Sequence, residues 1–346
     1  MLLLRIVTGC LLLAGSGWLI MDHPTGGDPP SGMVIHQLDE DDWDPDGPAL
    51  GGLSGICYDS SRQVYYCISD KAPARFYTLQ VDSFGAAPEV IDETRISFTR
   101  GLEPGSVDPE AIRLHPNGQH LYWSNEANST VYRMDLEGRV DRSYPLPRAF
   151  QPDQNGTGIR TNAGLESLAI SPDGSALMVA TENMLKQDED CASDWMPPYQ
   201  PLRLVVLSIG TGQIIHEYLY FAENGHGLVD LVWDEGDHLL CLERSWSPLT
   251  GNDILVFRAD LRAATDVRSV GSICELDPDT ARPVATRLVH NLQAGRKSGF
   301  NPYIDNVEGL CPGPPFPNGK PTLTLVSDNN FSRRQVTQFI QILPIP

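Results

Sequence analysis

"ESLAISPDGSALMVATE", residues 166–182, holds a short apolar run, a Pro-Asp-Gly turn, a second apolar run and an acid at either end. The segment has four counterparts: "LSGICYDSSRQVYYCISD" (53–70), "EAIRLHPNGQHLYWSNE" (110–126), "DLVWDEGDHLLCLER" (230–244) and "EGLCPGPPFPNGKPTLTLVSD" (308–328). Ser54, Glu110 and Glu166 recur at equal intervals of 56 residues, as do Asp70, Glu126 and Glu182, and later intervals lengthen as loop insertions would make them. Between repeats the chain stays strand-like, as in "STVYRMDLEGRVDRSYPL" (129–146) and "PLRLVVLSIGTGQIIHEYLYF" (201–221). Each unit therefore reads as about four strands. Four-stranded units repeated around an axis are the sequence sign of a β-propeller. Five repeats predict an all-β propeller of five four-stranded blades, with six as the alternative if the stretch between Ser245 and Asn306 hides a degenerate blade. After its acid the fifth repeat has only "VTQFIQIL" (336–343), one strand too few, and "MVIHQL" (33–38) can supply the missing strand and close the ring.

The repeat also places its acids. Its first strand begins at Ser54, Glu110, Glu166, Asp230 or Glu308, and its second ends at Asp70, Glu126, Glu182, Glu243 or Asp328. Antiparallel pairing across a short turn brings the start of one strand and the end of the next to the same end of a blade. Nine carboxylates are thus expected at one mouth of the propeller. Two carboxylates about 4 Å apart repel by about 4 kcal/mol at an effective dielectric near 20, so such a ring takes up protons or recruits cations. Oxygen-only donors suit a hard cation, calcium first and magnesium second. The expected metal set is Asp70, Glu110, Glu126, Glu182, Asp230, Glu243, Asn306, Asp328 and Asn329, with Asn162, Asn183 and Asn330 as further neutral donors. Glu308 and Glu166 are the candidate general bases, because each starts an inner strand at the mouth. Among Arg75, Arg160, Arg203, Arg244 and Arg334, Arg244 is the candidate for orienting an anionic ester. The bland reading of any single acid is a solvated strand end or a blade-to-blade tie.

Composition agrees with this direction. The chain has 346 residues, with 45 Asp and Glu against 25 Lys and Arg, a net charge of −20. That balance argues against nucleic acid or an anionic membrane surface as partner and favours a cation, or a small anionic ester bridged by one. A monomer is expected. At the N-terminus Arg5 precedes an apolar run from Ile6 to Met21, with Ala14-Gly15-Ser16 as a small-residue cleavage site. Residues 1–22 read as a secretory signal or an N-terminal membrane anchor, and residues 23–346 as the folded domain. Val7-Thr8-Gly9-Cys10 resembles a lipoprotein box, but most of the apolar run follows Cys10 instead of preceding it. Export to the periplasm or the extracellular space makes the six remaining cysteines candidates for disulfides. Cys57 and Cys67 lie on the two strands of one hairpin and are either cross-strand partners or reduced core residues; Cys191, Cys241, Cys274 and Cys311 allow three pairings.

Other chemistry finds no motif. Gly52-Leu53-Ser54-Gly55-Ile56 misses the nucleophile elbow, no His-Glu-x-x-His occurs, and "GPPFPNGK" (313–320) has the wrong spacing for a phosphate loop.

"LSGICYD", "YYCISD", "DPEAIRL", "NAGLESLAISPDG", "GLVDLVW", "CLERS", "DNVEGL" and "VSDNNF" together resemble the phytase-like domain family, labelled esterase-like activity of phytase. The resemblance runs from Leu53 to Phe331 and implies an exported β-propeller with phosphoesterase activity. The expected function is a metal-dependent phosphoesterase, in which ring carboxylates hold calcium and Arg244 orients the ester. The alternatives are a non-catalytic, calcium-stabilised binding propeller and a lactonase-type ester hydrolase.

Overall fold

Each repeat folds as a blade, and five blades make the ring. The structure is a computed structural model and describes residues 32–38, 50–152, 156–160, 164–195, 197–293, 303–316 and 319–343. The N-terminal segment 1–22 and Asn162 lie outside the described residues. From the axis outward, blade 1 is built from Leu53–Asp59, Val64–Ser69, Arg75–Gln80 and Glu89–Arg95. Blade 2 is Pro109–Leu114, Leu121–Asn125, Thr130–Met134 and Arg139–Pro145, with the two-residue strand Ser97–Phe98 added in parallel at its outer edge. Blade 3 is Leu165–Ile170, Ala176–Thr181, Gln200–Ser208 and Ile214–Ala222, and blade 4 is Gly227–Trp233, His238–Ser247, Gly251–Asp260 and Ala285–Asn291. The stretch between Ser245 and Asn306 thus supplies outer strands of blade 4 and, among the described residues, no sixth blade. Blade 5 takes Asn306–Gly313, Thr322–Asp328 and Thr337–Ile342 from the C-terminal end and Val34–Leu38 from the N-terminal end. Val34 pairs with Gln341 and Leu38 with Thr337, so the two ends of the chain close the ring as the short fifth repeat predicted.

The core follows from the two-residue period of a strand, which sends alternate side chains to opposite faces. In a propeller those faces look into two different gaps between blades, and each gap is filled by its own apolar cluster. Ile56, Tyr65, Cys67 and Phe339 fill the gap between blades 5 and 1, whereas Cys57, Ile68, Trp123 and Met134 fill that between blades 1 and 2. Cys57 and Cys67 are therefore reduced core residues and not cross-strand partners. Cys67 lies opposite Ile56 while Cys57 lies opposite Tyr66, and that offset of one residue turns the two thiols into separate gaps. The disulfide is Cys191–Cys274, while Cys241 and Cys311 are buried and free. It joins the 3-10 segment Lys186–Asp194 to the 3-10 turn Ile273–Glu275.

The innermost strands touch in succession around the ring, and a buried ion pair crosses the axis between them. Arg113 of blade 2 donates to Asp230 Oδ1 of blade 4 at 2.5 Å, to Leu231 O at 3.0 Å and to Ile56 O of blade 1 at 2.9 Å. Asp230 Oδ2 accepts from Leu310 N of blade 5 at 2.7 Å. One pair of charges thus stitches four blades together.

Candidate active site at the acidic mouth

Every inner strand opens with a β-bulge, the irregularity that sheets use to re-aim a side chain beside a site. The bulges fall at Ser54, at Glu110 with Ala111, at Glu166, at Val229 and at Glu308. A second set of positions lies where the next strand ends beside the start of the first. Asp70 N bonds Gly52 O at 2.8 Å, Glu126 N bonds Asp108 O at 2.9 Å and Glu182 N bonds Gly164 O at 2.9 Å. Asp328 lies opposite Asn306 in blade 5, and Arg244 lies opposite Gly227 in blade 4.

Blade 4 therefore departs from the other blades at both positions. Val229 stands at the bulge where blades 2, 3 and 5 have a glutamate, and Arg244 stands where the other blades have an acid. The expectation that Asp230 and Glu243 join the ring is corrected: each is one residue out of step, and a one-residue step reverses the face. Asp230 meets Arg113 on the axis as described above. Glu243 accepts from Tyr220 Oη of blade 3 at 2.6 Å and from Glu223 N at 2.8 Å, a buried tie between blades 3 and 4. Asn329 is also committed elsewhere, because its Oδ1 accepts from Gly52 N at 3.1 Å and Phe331 N at 3.0 Å, which uses both lone pairs to tie blade 5 to blade 1.

The mouth brings together Asp70, Glu110, Glu126, Glu166, Glu182, Glu308 and Asp328, and adds Asp108, which sequence reasoning missed. Asp108 was legible as the acid two residues ahead of Glu110 in "DPEAIRL" (108–114). One carboxylate oxygen from each of Asp108, Glu110 and Glu126 lies within 4.8 Å of the others. Burial pushes every one of these eight carboxyls above its ordinary range, and neighbouring carboxylates push all but Asp108 and Glu182 further. Asp70 rises to about 7, with Asp328 and Asp108 as its charged neighbours. Glu308 rises to about 8 through burial, held back by Arg244 and driven up by Asp328, Asp70 and Glu182. Glu110 and Glu166 rise well above the carboxylate range, each feeling the other acids of the ring.

Two cations temper this charge. Arg244 Nη2 donates to Glu308 Oε1 at 3.2 Å, and Asn306 Nδ2 donates to the same oxygen at 2.7 Å. Lys71 Nζ lies 4.0 Å above the Phe331 ring and lowers Asp70 and Asp328. Arg75, Arg160 and Arg203 are occupied elsewhere: Arg75 with Glu93, Arg160 with Glu189, and Arg203 with Asp188 and Glu217. Glycines make room for the acids. A Cβ on Gly52, where φ is +62°, would stand 2.1 Å from Asp70 Oδ1, and one on Gly164 would stand 2.4 Å from Glu126 Cγ.

A family pattern described as phytase-like, esterase-like activity of phytase, matches residues 48–331. The chain belongs to the phytase-like family. The match covers the inner hairpin of every blade, and with them all the mouth acids of this phytase-like propeller. That description, on a five-bladed ring, suggests a hydrolase-type propeller. No curated protein matches the chain.

The donor set fits a hard cation. All the ligand atoms on offer are oxygens, three of them lie close enough for one ion, and Asp70 Oδ1 is a buried oxygen with no hydrogen-bond partner. Acids left with raised pKa values in a confined mouth are in the state that a divalent cation relieves.

Proposed function

We propose that this phytase-like propeller is an exported, calcium-dependent phosphoric ester hydrolase that works at the acidic mouth. The observation that carries the proposal is the mouth itself: eight carboxyls held above their ordinary range around a single arginine. Asp108, Glu110 and Glu126 would hold the cation, and the partnerless oxygen of Asp70 offers a further donor. Calcium, when bound, neutralises an anionic ester and acidifies a water; magnesium asks for stricter geometry and suits the wide ring less well. Arg244 presents its guanidinium beside Glu308, with a buried Nε that has no partner, and is placed to donate to an ester oxygen. Glu308, raised to about 8, holds its proton at neutral pH until a cation favours its ionised form, and in that form it would be the general base, with Glu166 as its neighbour in the ring. The Cys191–Cys274 disulfide supports an oxidising compartment and so fits export.

The test is phosphate release from a panel of phosphate monoesters by residues 23–346, in calcium and then in a chelator. Calcium-dependent release that is lost in Glu308→Gln, with unfolding still cooperative, is the expected result. No release in either condition, with a melting temperature that still rises in calcium, would assign the mouth to a binding propeller. Hydrolysis of lactones without phosphate release would assign it to a lactonase-type hydrolase.

A further inference from the structure

Four large apolar side chains are exposed among the described residues: Ile91, Trp246, Leu249 and Tyr303. Three of them belong to one neighbourhood: Trp246 and Leu249 lie on the blade 4 hairpin that carries Arg244, and Tyr303 precedes Ile304, which that hairpin touches. The second and third strands of blade 4 do not stop at the mouth, as those of the other blades do, but remain paired from Arg244 opposite Ile254 out to Ser247 opposite Gly251. The hairpin stem so formed stands above the ring. Arg244 and Trp246 are two residues apart on one strand and share a face, and Asn252, directly across from Trp246, shares it too.

That face is turned toward blade 5. Arg244 reaches Glu308, and Asn252 Nδ2 donates to Ile304 O at 3.4 Å. Ile304 adjoins Tyr303, whose carbonyl accepts from Gln338 Nε2 at 2.9 Å and whose ring is 57% exposed. The opposite face of the stem is anchored as well. Ser245 Oγ lies 3.2 Å from His226 Nε2, and Asp253, across from Ser245, lies 3.6 Å from the same nitrogen. The stem is therefore fixed on both faces, yet Trp246 remains 65% exposed and Leu249 at the tip 95%. A rigidly held, solvated indole contributes little to folding and offers a flat apolar surface to a ligand. Two residues along a strand span about 7 Å, roughly the reach from a phosphate to the far side of an attached six-membered ring.

We infer that Trp246, flanked by Tyr303 and Leu249, is an apolar subsite on the rim that takes an aromatic or alicyclic ring carried by the anionic ester whose charge Arg244 meets. This inference rests on the phosphoric ester reading above and specifies which esters the mouth prefers.

Binding of non-hydrolysable phenylphosphonate and methylphosphonate, measured by calorimetry on the calcium-loaded chain, tests it without need of turnover. The wild-type chain is expected to bind the phenyl compound roughly ten-fold more tightly than the methyl one, as aromatic contact ordinarily gives. Trp246→Ala should bring the two affinities together, and Trp246→Phe should restore most of the difference. Trp246 lies outside the core, so the melting temperature of both variants should match that of the wild type. Equal affinity of the wild type for both compounds, or a phenyl preference that survives Trp246→Ala, overturns the subsite and leaves the phosphoric ester reading standing. Binding of neither compound overturns both.

Discussion

Removing the cation should make this protein less stable as pH rises, against the usual behaviour of a carboxylate. An ordinary Glu has a pKa of 4.5, whereas burial and the neighbouring acids lift Glu308 to about 8. Between those values the unfolded chain has released a proton that the folded chain still holds, so each pH unit across the window disfavours the folded state by about 1.4 kcal/mol. The loss is absent below pH about 4.5 and complete above pH about 8, about 5 kcal/mol from Glu308 alone, or roughly 7 °C in melting temperature for a chain of this size. Asp59, Asp141, Asp173, Asp260 and Asp266 are held below their ordinary range, so their contributions are lost only as pH falls below that window. Thermal unfolding in a chelator from pH 5 to pH 9 gives the slope, with an opposing rise below pH about 6.5 from His290, which burial holds down at about 4. Glu308→Gln keeps the shape of the protonated acid and cannot ionise, so this variant should have a flatter profile and exceed the wild type in stability at pH 9. Calcium should flatten the wild-type profile, because it selects the ionised ring. A chelated wild type whose stability is level from pH 5 to 9, or whose slope is the same in Glu308→Gln, would refute the account of the ring.

Three further outcomes follow from named contacts. Asp230→Asn leaves Arg113 buried without its counter-charge and should cost about 3–5 kcal/mol in urea unfolding, while the stabilisation by calcium persists because Asp230 lies off the ring. Arg244→Gln should lower kcat/KM for phosphate esters on the order of a hundred-fold and tighten calcium binding by titration calorimetry, since it removes a positive charge beside Glu308. Cys191→Ser opens a crosslink across a sequence separation of 83 and should cost about 4–5 kcal/mol in the chain-entropy account, with a reductant producing the same fall in the wild type.

The repeat carried the fold because spacing and alternation are local signals: the turns at "SPDG" (171–174) and "HPNG" (115–118), and the apolar runs around them, fix hairpins without knowledge of the rest of the chain. The mouth was legible in blades 1, 2, 3 and 5 for the same reason. Blade 4 was misread because its acids were taken as the guide. Gly227-Leu228 in "GLVDLVW" (227–233) answers Gly164-Leu165 in "GLESLAI" (164–170), and that pair sets the frame in which Val229 and Arg244 take the ring positions. An acid can stand on either face of a strand, whereas the bulge that opens the blade cannot shift. The Cys191–Cys274 pair joins two irregular segments far apart in sequence, and no periodicity reports on their meeting. The axial pair Arg113 and Asp230 depends on curvature around the whole ring, which no single repeat encodes.

The join of Val34–Leu38 to Thr337–Ile342 has a consequence for how the molecule comes into being. A ribosome delivers these two strands far apart in time, so the first strand of the ring waits for the last. Until residue 342 emerges, the strand Thr322–Asp328 has no outer neighbour, and the sheet edge there is open. Pairings so distant in sequence also make for slow folding. Closure is therefore gated by the synthesis of Thr337–Ile342: a nascent chain lacking that strand is an unzipped belt, and a holding chaperone would find its target at that edge.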